Sequence, residues 1–149
     1  MPDCSYIYLK LTGDFDPTTV AASIPVAPYE SWAKHSRFPD RQIQKSSILK
    51  YSRYDTHAEI PDVYLLSEKL VDALEPHQDA IARAIQEHQM QCCLQVVLLF
   101  TSDDSLSTPI IGFSERVTRF LGTLFASIDI DTYRGEPTTG EQDASSNGG

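Results

Sequence analysis

Long apolar runs are scarce in this chain. The longest nearly unbroken one, residues 92–100, has nine residues, under half of the ~20 that a membrane-spanning helix requires. No membrane segment is read. Pro2 and Asp3 stand where a secretory leader would carry its bases, and no apolar stretch follows them, so a cytoplasmic location is expected. Cysteine is scarce too, with three in 149 residues. A domain of this size closes its core without disulfides. Cys92 and Cys93 are adjacent, so in a strand they point to opposite faces and do not bridge. Both read as small core residues.

Histidine and glycine are equally thin. His35, His57, His77 and His88 form no HxH or HxxxH pair. His77 and His88, eleven apart, would share the face of a single helix by coincidence of spacing. The seven glycines fall mostly in turns and near the C-terminus, none in a loop that cradles phosphate, and no nucleophile elbow is present. These absences leave no catalytic, cofactor or metal residue to name, and no enzyme is expected. Asp129 and Asp131 lie two apart on one face of a strand, and with Asp103 or Asp104 nearby they would suit a cation or an acid–base pair. Two solvated acids on an edge strand explain them as well.

Basic charge is in deficit, with 12 Lys and Arg against 21 Asp and Glu and a net charge of −9. Such a chain repels a phosphate backbone, so nucleic acid is not an expected partner. The bases are unevenly placed. Between residues 34 and 53, Lys34, Arg37, Arg41, Lys45, Lys50 and Arg53 face Asp40 alone, a local +5 that leaves −14 for the rest. The chain reads as an acidic body with one basic loop or hairpin, unless these bases are merely solvated side chains on a ribbon.

What is present is a clear alternation of elements. Residues 5–12 set Ile7, Leu9 and Leu11 against Tyr6, Tyr8 and Lys10, a strand with one buried face. Asp16 caps and Pro17 opens a short helix carrying Val20, Ala21 and Ile24, which stops before Pro25. Phe15 and Val20 are placed to staple its start. Residues 29–34, with the only tryptophan, Trp32, are expected to pair as a hairpin with residues 43–54. Asp62 caps a helix to about Glu75 with Leu66, Leu70 and Leu74 on one face and Val63 and Val71 beside them. Pro76 breaks it, and a second helix runs to about His88. Residues 92–100, apolar on both alternating faces, predict a central and deepest strand covered on each side.

Residues 108–113 are expected as a short strand, which Pro109 places at an edge or marks at its beginning. Ser114 caps the last helix, with Val117, Leu121, Leu124 and Phe125 inward. Gly122 weakens that helix by ~1 kcal/mol unless it permits close packing. Residues 128–133 alternate as a final strand, and residues 135–149 form a polar tail, expected to be disordered, beyond a single domain at 1–134. The order predicts an α+β two-layer sandwich, a mixed or antiparallel sheet with helices packed on one face.

Four stretches carry a resemblance: Leu-Thr-Gly-Asp-Phe-Asp-Pro-Thr-Thr-Val at 11–20, Ser31-Trp32-Ala33-Lys34, the helix break Leu74-Glu75-Pro76-His77, and Ile128-Asp129-Ile130-Asp131-Thr132-Tyr133. Together they resemble the bacterial domain-of-unknown-function family 4279 over residues 5–134. The basic stretch after the tryptophan lacks the glycine frequent in that family. Some members look like immunity proteins of bacterial toxin systems. The resemblance implies no catalytic residues and points to a cognate toxin protein as partner.

The expected function is binding and occlusion of that toxin domain. Toxins that attack nucleic acids or nucleotides carry basic clefts, and an acidic inhibitor gains association rate and specificity from complementary potential. The acidic candidates are Glu59 and Asp62 before the middle helix, Glu68 and Asp72 on its outer face, and Asp103 and Asp104. The opposite possibility is a contact surface of Trp32, Lys34, Arg37 and Arg41 against an acidic partner. A small-ligand-binding or self-associating scaffold or sensor is the alternative function.

Overall fold

The computed structural model describes residues 2–35, 45–101, 103 and 105–135. Arg37, Arg41, Asp104 and residues 136–149 of the expected tail lie outside the described residues. Five described strands form one mixed sheet. They are β1 (Ser5–Gly13), β2 (Glu30–Trp32), β3 (Ser47–Thr56), β4 (Gln91–Thr101) and β5 (Ser127–Gly135), in the order β2-β3-β1-β4-β5. β1 is antiparallel to both β3 and β4, and β2 to β3. β5 is parallel to β4, which requires a crossover, and a helix supplies it.

The helices form where the local signals placed them. In α1 (Pro17–Ser23) the Asp16 carboxylate accepts the Thr18 N–H at 3.1 Å and Pro17 opens the first turn. Phe15 packs against the core beside Val20. In α2 (Val63–Leu74) the Asp62 carboxylate accepts the Leu65 N–H at 3.2 Å. Pro76 falls in a 3-10 turn, Glu75–His77, and α3 (Gln78–His88) restarts after it. Ser114 accepts the Val117 N–H to open α4 (Glu115–Thr123).

One face of the sheet and the four helices share a single core. Ile7, Leu9 and Leu11 of β1, Leu49 and Tyr51 of β3, and Cys92, Leu94, Val96 and Leu98 of β4 meet Val20 and Ile24, Leu66, Leu70, Val71 and Leu74, Ile81 and Ala84, and Val117, Phe120 and Leu121. Tyr51 is fully buried there, and its hydroxyl has no hydrogen-bond partner. Burial also pushes that phenol's pKa up to about 12. An orphaned buried hydroxyl costs about 1–3 kcal/mol. Tyr51→Phe is therefore expected to raise stability by about 1 kcal/mol, read as a higher urea midpoint at unchanged slope.

Four expectations are corrected. β1, not residues 92–100, occupies the middle of the sheet, and β4 is second from the β5 edge. The described helices cover only one side of β4. On its other side Gln95 and Val97 are each 5% exposed, although they pair with Tyr8 and Tyr6 across the sheet and no described helix lies above them. Large cross-strand neighbours bury them instead, which an apolar run cannot distinguish from a second helical layer.

Residues 108–113 form no sheet strand. Only Ile110 pairs, in one parallel bridge with Asp62. Its N–H donates to the Pro61 carbonyl at 3.1 Å, and its carbonyl accepts the Val63 N–H at 2.9 Å. The segment thus ties the start of α2 rather than extending the sheet. Phe125, finally, points outward and is 91% exposed. α4 stops at Thr123, so helical spacing no longer governs position 125, and the inward aromatic is Phe120. Gly122 meets nothing within 4 Å of where a Cβ would stand, so it serves no close packing.

Candidate functional site

The same alternation that buries Ile7, Leu9 and Leu11 sends Tyr6, Tyr8 and Lys10 to the face without helices. Neighbouring strands add to that face by register. β2 and β3 contribute Glu30, Trp32, Ile48 and Lys50, which pair Glu30 with Lys50 and Trp32 with Ile48. β4 adds Gln95 and Val97, and β5 adds Asp129, Asp131 and Tyr133.

A β-bulge puts Arg53 on this face. Ile7 pairs with Tyr54 and Leu9 with Tyr51, so Tyr8 stands opposite two residues, Ser52 and Arg53. Ser52 absorbs the extra residue in the left-handed region, φ 55°. Without the bulge, Arg53 would lie in phase with Leu49 and Tyr51 and point into the core. With it, the guanidinium lies 3.9 Å from the Tyr6 ring centre.

The result is an aromatic row flanked by cations. Tyr6 and Tyr8 stack with ring centres 6.1 Å apart, and Tyr29 meets Tyr8 edge-on at 6.1 Å. Lys50 Nζ sits 5.1 Å from the Tyr8 centroid and 3.3 Å from a Glu30 oxygen. Trp32 donates its indole N–H to the other Glu30 oxygen at 2.7 Å. Arg53 Nε donates to Asp55 at 2.7 Å. Each cation–π contact contributes about 0.5–1 kcal/mol at an exposed site.

Electrostatics follow from this packing. Burial first, then the neighbouring phenol of Tyr6 and the Glu30 carboxylate, push the Tyr8 pKa up to about 12, and burial raises Tyr29 further still. Both remain neutral hydroxyl donors throughout the physiological range. Partial burial alone would raise Glu30, but the Trp32 N–H and the Lys50 ammonium outweigh it and hold Glu30 below its ordinary 4.5. A carboxylate depressed in the folded state stabilises above its unfolded pKa and loses that contribution as pH falls through the folded value. The β2–β3 pairing is thus expected to loosen below about pH 4.5. In Glu30→Gln, amide exchange at β2 should lose that pH dependence.

The candidate residues named from sequence are scattered by the fold. Trp32 is on the aromatic face. Lys34 lies beyond β2, with its ammonium 3.1 Å from Asp14 and its backbone N–H donating to Ser47 Oγ at 3.0 Å. Asp62 is occupied as the α2 cap. Glu68 and Asp72, with Glu75, hold Arg116 of α4 at 3.0, 2.6 and 3.2 Å, and Ser114 donates its hydroxyl proton to Glu68. These carboxylates raise the Arg116 pKa further and clamp two helices together. Asp103 accepts the Ser105 hydroxyl at 2.7 Å and the Ser105 N–H at 2.9 Å, and the hydroxyl first, then the N–H, lower its pKa. Glu59 lines a cavity of about 180 Å³ at the ends of β1, β3 and β4, with Cys4, His57 and Phe100.

Tyr6, Tyr8, Tyr29 and Arg53 were not singled out as contact residues from sequence. The alternation of Tyr6 and Tyr8 was the available signal, since aromatic residues on the wet side of a strand are unusual unless something covers them. His77 precedes α3 in the 3-10 turn, so it does not share one helix with His88. Among the described residues no three His, Cys, Asp or Glu side chains converge as metal ligands. Asp131 accepts the Gln95 side-chain N–H at 3.0 Å. No described helix is long and apolar enough to cross a membrane.

No curated protein and no solved structure matches the chain. One family model does, described as a domain of unknown function, and its match runs over residues 3–135, from just before β1 to the last residue of β5. The stretches that suggested the kinship, among them the α1 cap, the Trp32 strand, the Pro76 break and the alternating β5, all fall inside that match, and the chain belongs to the DUF4279 family.

Proposed function

We propose that this domain is an immunity protein that binds a cognate bacterial toxin domain in the cytoplasm and blocks it by occlusion, without catalysis. The observation that carries the reading is the sheet face that no described helix covers, where Tyr6, Tyr8, Tyr29 and Trp32 lie with Arg53 and Lys50 against them. Tyr, Trp and Arg are the residues that dominate binding energy at protein interfaces. Here their rotamers are already fixed by ring stacking and ion pairs, so little side-chain freedom is lost on docking. The face is acidic at its β5 border, where Asp129 and Asp131 lie, whereas Lys50 and Arg53 over β3 are each paired with a carboxylate, so the potential favours a partner that is cationic at that border. Co-expression with the toxin domain encoded beside it tests the reading. Cells should survive with the intact chain. Death at the rate seen without it would overturn the proposal.

Self-association is the second reading, and one observation favours it. Phe125 is almost fully exposed beside an apolar groove lined by Ala82, Ile85 and Leu124. Sedimentation of the full chain separates the two readings. A dimer lost in Phe125→Gly supports self-association, and a monomer at all concentrations contradicts it.

A further inference from the structure

The two edges of the sheet are unlike. The β2 edge is three residues long, a length too short to template another strand. The β5 edge runs nine residues, Ser127–Gly135, and no described strand pairs with its outer side. A strand at an edge presents a row of N–H and C=O groups that seek partners. β5 is also exposed on both faces along nearly its whole length, with Ile128 at 41% and Tyr133 at 40%. Register with β4 places Ile128, Ile130 and Thr132 on the helix side and Asp129, Asp131 and Tyr133 on the open side. The edge therefore offers apolar side chains on one face and two carboxylates on the other.

This pattern selects its occupant. A second copy pairing antiparallel about Ile130 sets Asp129 against Asp131, and the fully overlapped register about Asp131 sets that residue against itself; like charges directly opposite destabilise a strand pair, and the register about Thr132, which avoids this, leaves Asp129 and Asp131 with no cation opposite them. The segment after β5, residues 136–149, carries Glu136, Glu141 and Asp143, no base, and no apolar side chain besides Pro137 and Ala144, so it complements neither face. An extended segment with Lys or Arg at alternate positions and apolar residues between them complements both. We propose that the β5 edge is a strand acceptor for a partner protein, taking such a cationic, alternating segment as a sixth strand by β-augmentation. The cations lie beside Asp129 and Asp131, and the apolar side chains beside Ile128 and Ile130. The inference rests on the reading that the domain works by binding a protein, and it names a second contact surface at the acidic border of the aromatic face.

The probe is a nine-residue peptide of alternating Lys and Val, blocked at both ends, added to the full-length, isotope-labelled chain. The expected result is slowed amide exchange and shifted resonances at alternate residues of β5. Affinity should fall with salt and fall about tenfold in Asp129→Asn/Asp131→Asn, which removes two cross-strand charge pairs. The same peptide N-methylated at alternate amides should not bind, because it cannot complete the ladder. Equal binding of a Glu–Val peptide, shifts confined to Tyr6, Tyr8 and Tyr29, or no binding would each overturn the proposal. So would protection, before peptide is added, of the outward-facing β5 amides that do not bond to β4, since concentration-dependent protection means a second copy and concentration-independent protection means the chain's own residues. The double Asn variant changes two exposed side chains, and its melting curve controls for folding. Toxin protection that survives while the peptide arm fails would remove this edge and leave the proposed function standing.

Discussion

Phe120→Ala is expected to cost about 3–5 kcal/mol, whereas Phe125→Gly, five residues on, is expected to gain about 1 kcal/mol. Phe120 is 1% exposed in the core beneath the sheet. Truncating it removes a buried ring and leaves a cavity that the surrounding Leu and Val side chains fill only in part. Phe125 buries almost nothing and sits at φ 51°, in the left-handed region. It closes α4 in a paired arrangement, its own N–H donating to the Gly122 carbonyl and the Ala126 N–H to the Leu121 carbonyl, at 3.1 and 2.9 Å. Glycine is the usual residue at that position because it has no Cβ to clash. Gln89 ends α3 in the same way, at the same φ of 51°. Urea unfolding of the two variants gives shifts of opposite sign, and equal losses in both would contradict this placement of the rings. A strained and exposed aromatic is also the kind of outlier that invites a functional test.

The second large effect is on binding. Tyr8→Ala with Arg53→Glu is expected to weaken partner affinity by about 2–4 kcal/mol, roughly 30- to 1000-fold. Tyr8 is the hub of the row, touching Tyr6, Tyr29 and Lys50. Arg53→Glu reverses a charge that lies over Tyr6 and sets it beside Asp55, so it introduces repulsion as well as removing an attraction. By contrast, Glu68→Gln with Asp72→Asn should lower the melting temperature through loss of the Arg116 clamp and leave affinity nearly unchanged. Calorimetric titration against the proposed toxin partner reads the affinities, with melting curves as controls.

Much of the fold was legible because it is written in local signals. The period-two alternation of β1, the Asp16 and Asp62 caps, the Leu66, Leu70, Leu74 spacing and the Pro76 break each fix an element without reference to the rest of the chain. The errors lie where long-range pairing decides. The apolar run in β4 reflects cross-strand burial by Tyr6 and Tyr8 rather than a second layer. The segment around Ile110 has strand-like composition but spends its backbone groups on the start of α2. Phe125 lies one residue past the α4 cap, where a helical wheel no longer applies.

The candidate site was legible only in part, for the same reason. Glu68 and Asp72 on the outer face of α2 looked free until α4 brought Arg116 to them across more than forty positions of sequence. Tyr6 and Tyr8 looked like the wet side of an ordinary strand until β2 and β3 brought Tyr29, Lys50 and Arg53 alongside. The bulge at Ser52 leaves no glycine or proline in the sequence to announce it, yet it decides which way Arg53 points.

Hydrogen–deuterium exchange of the full chain, free and bound to the proposed toxin partner, tests most directly the role of the sheet face that no described helix covers. Binding should slow exchange in β1, β2 and β3 around Tyr6, Tyr8, Trp32 and Arg53 and leave α2 and α3 unchanged. Slowing confined to the outer faces of α2 and α3, with the tyrosine strands exchanging as in the free chain, would contradict it.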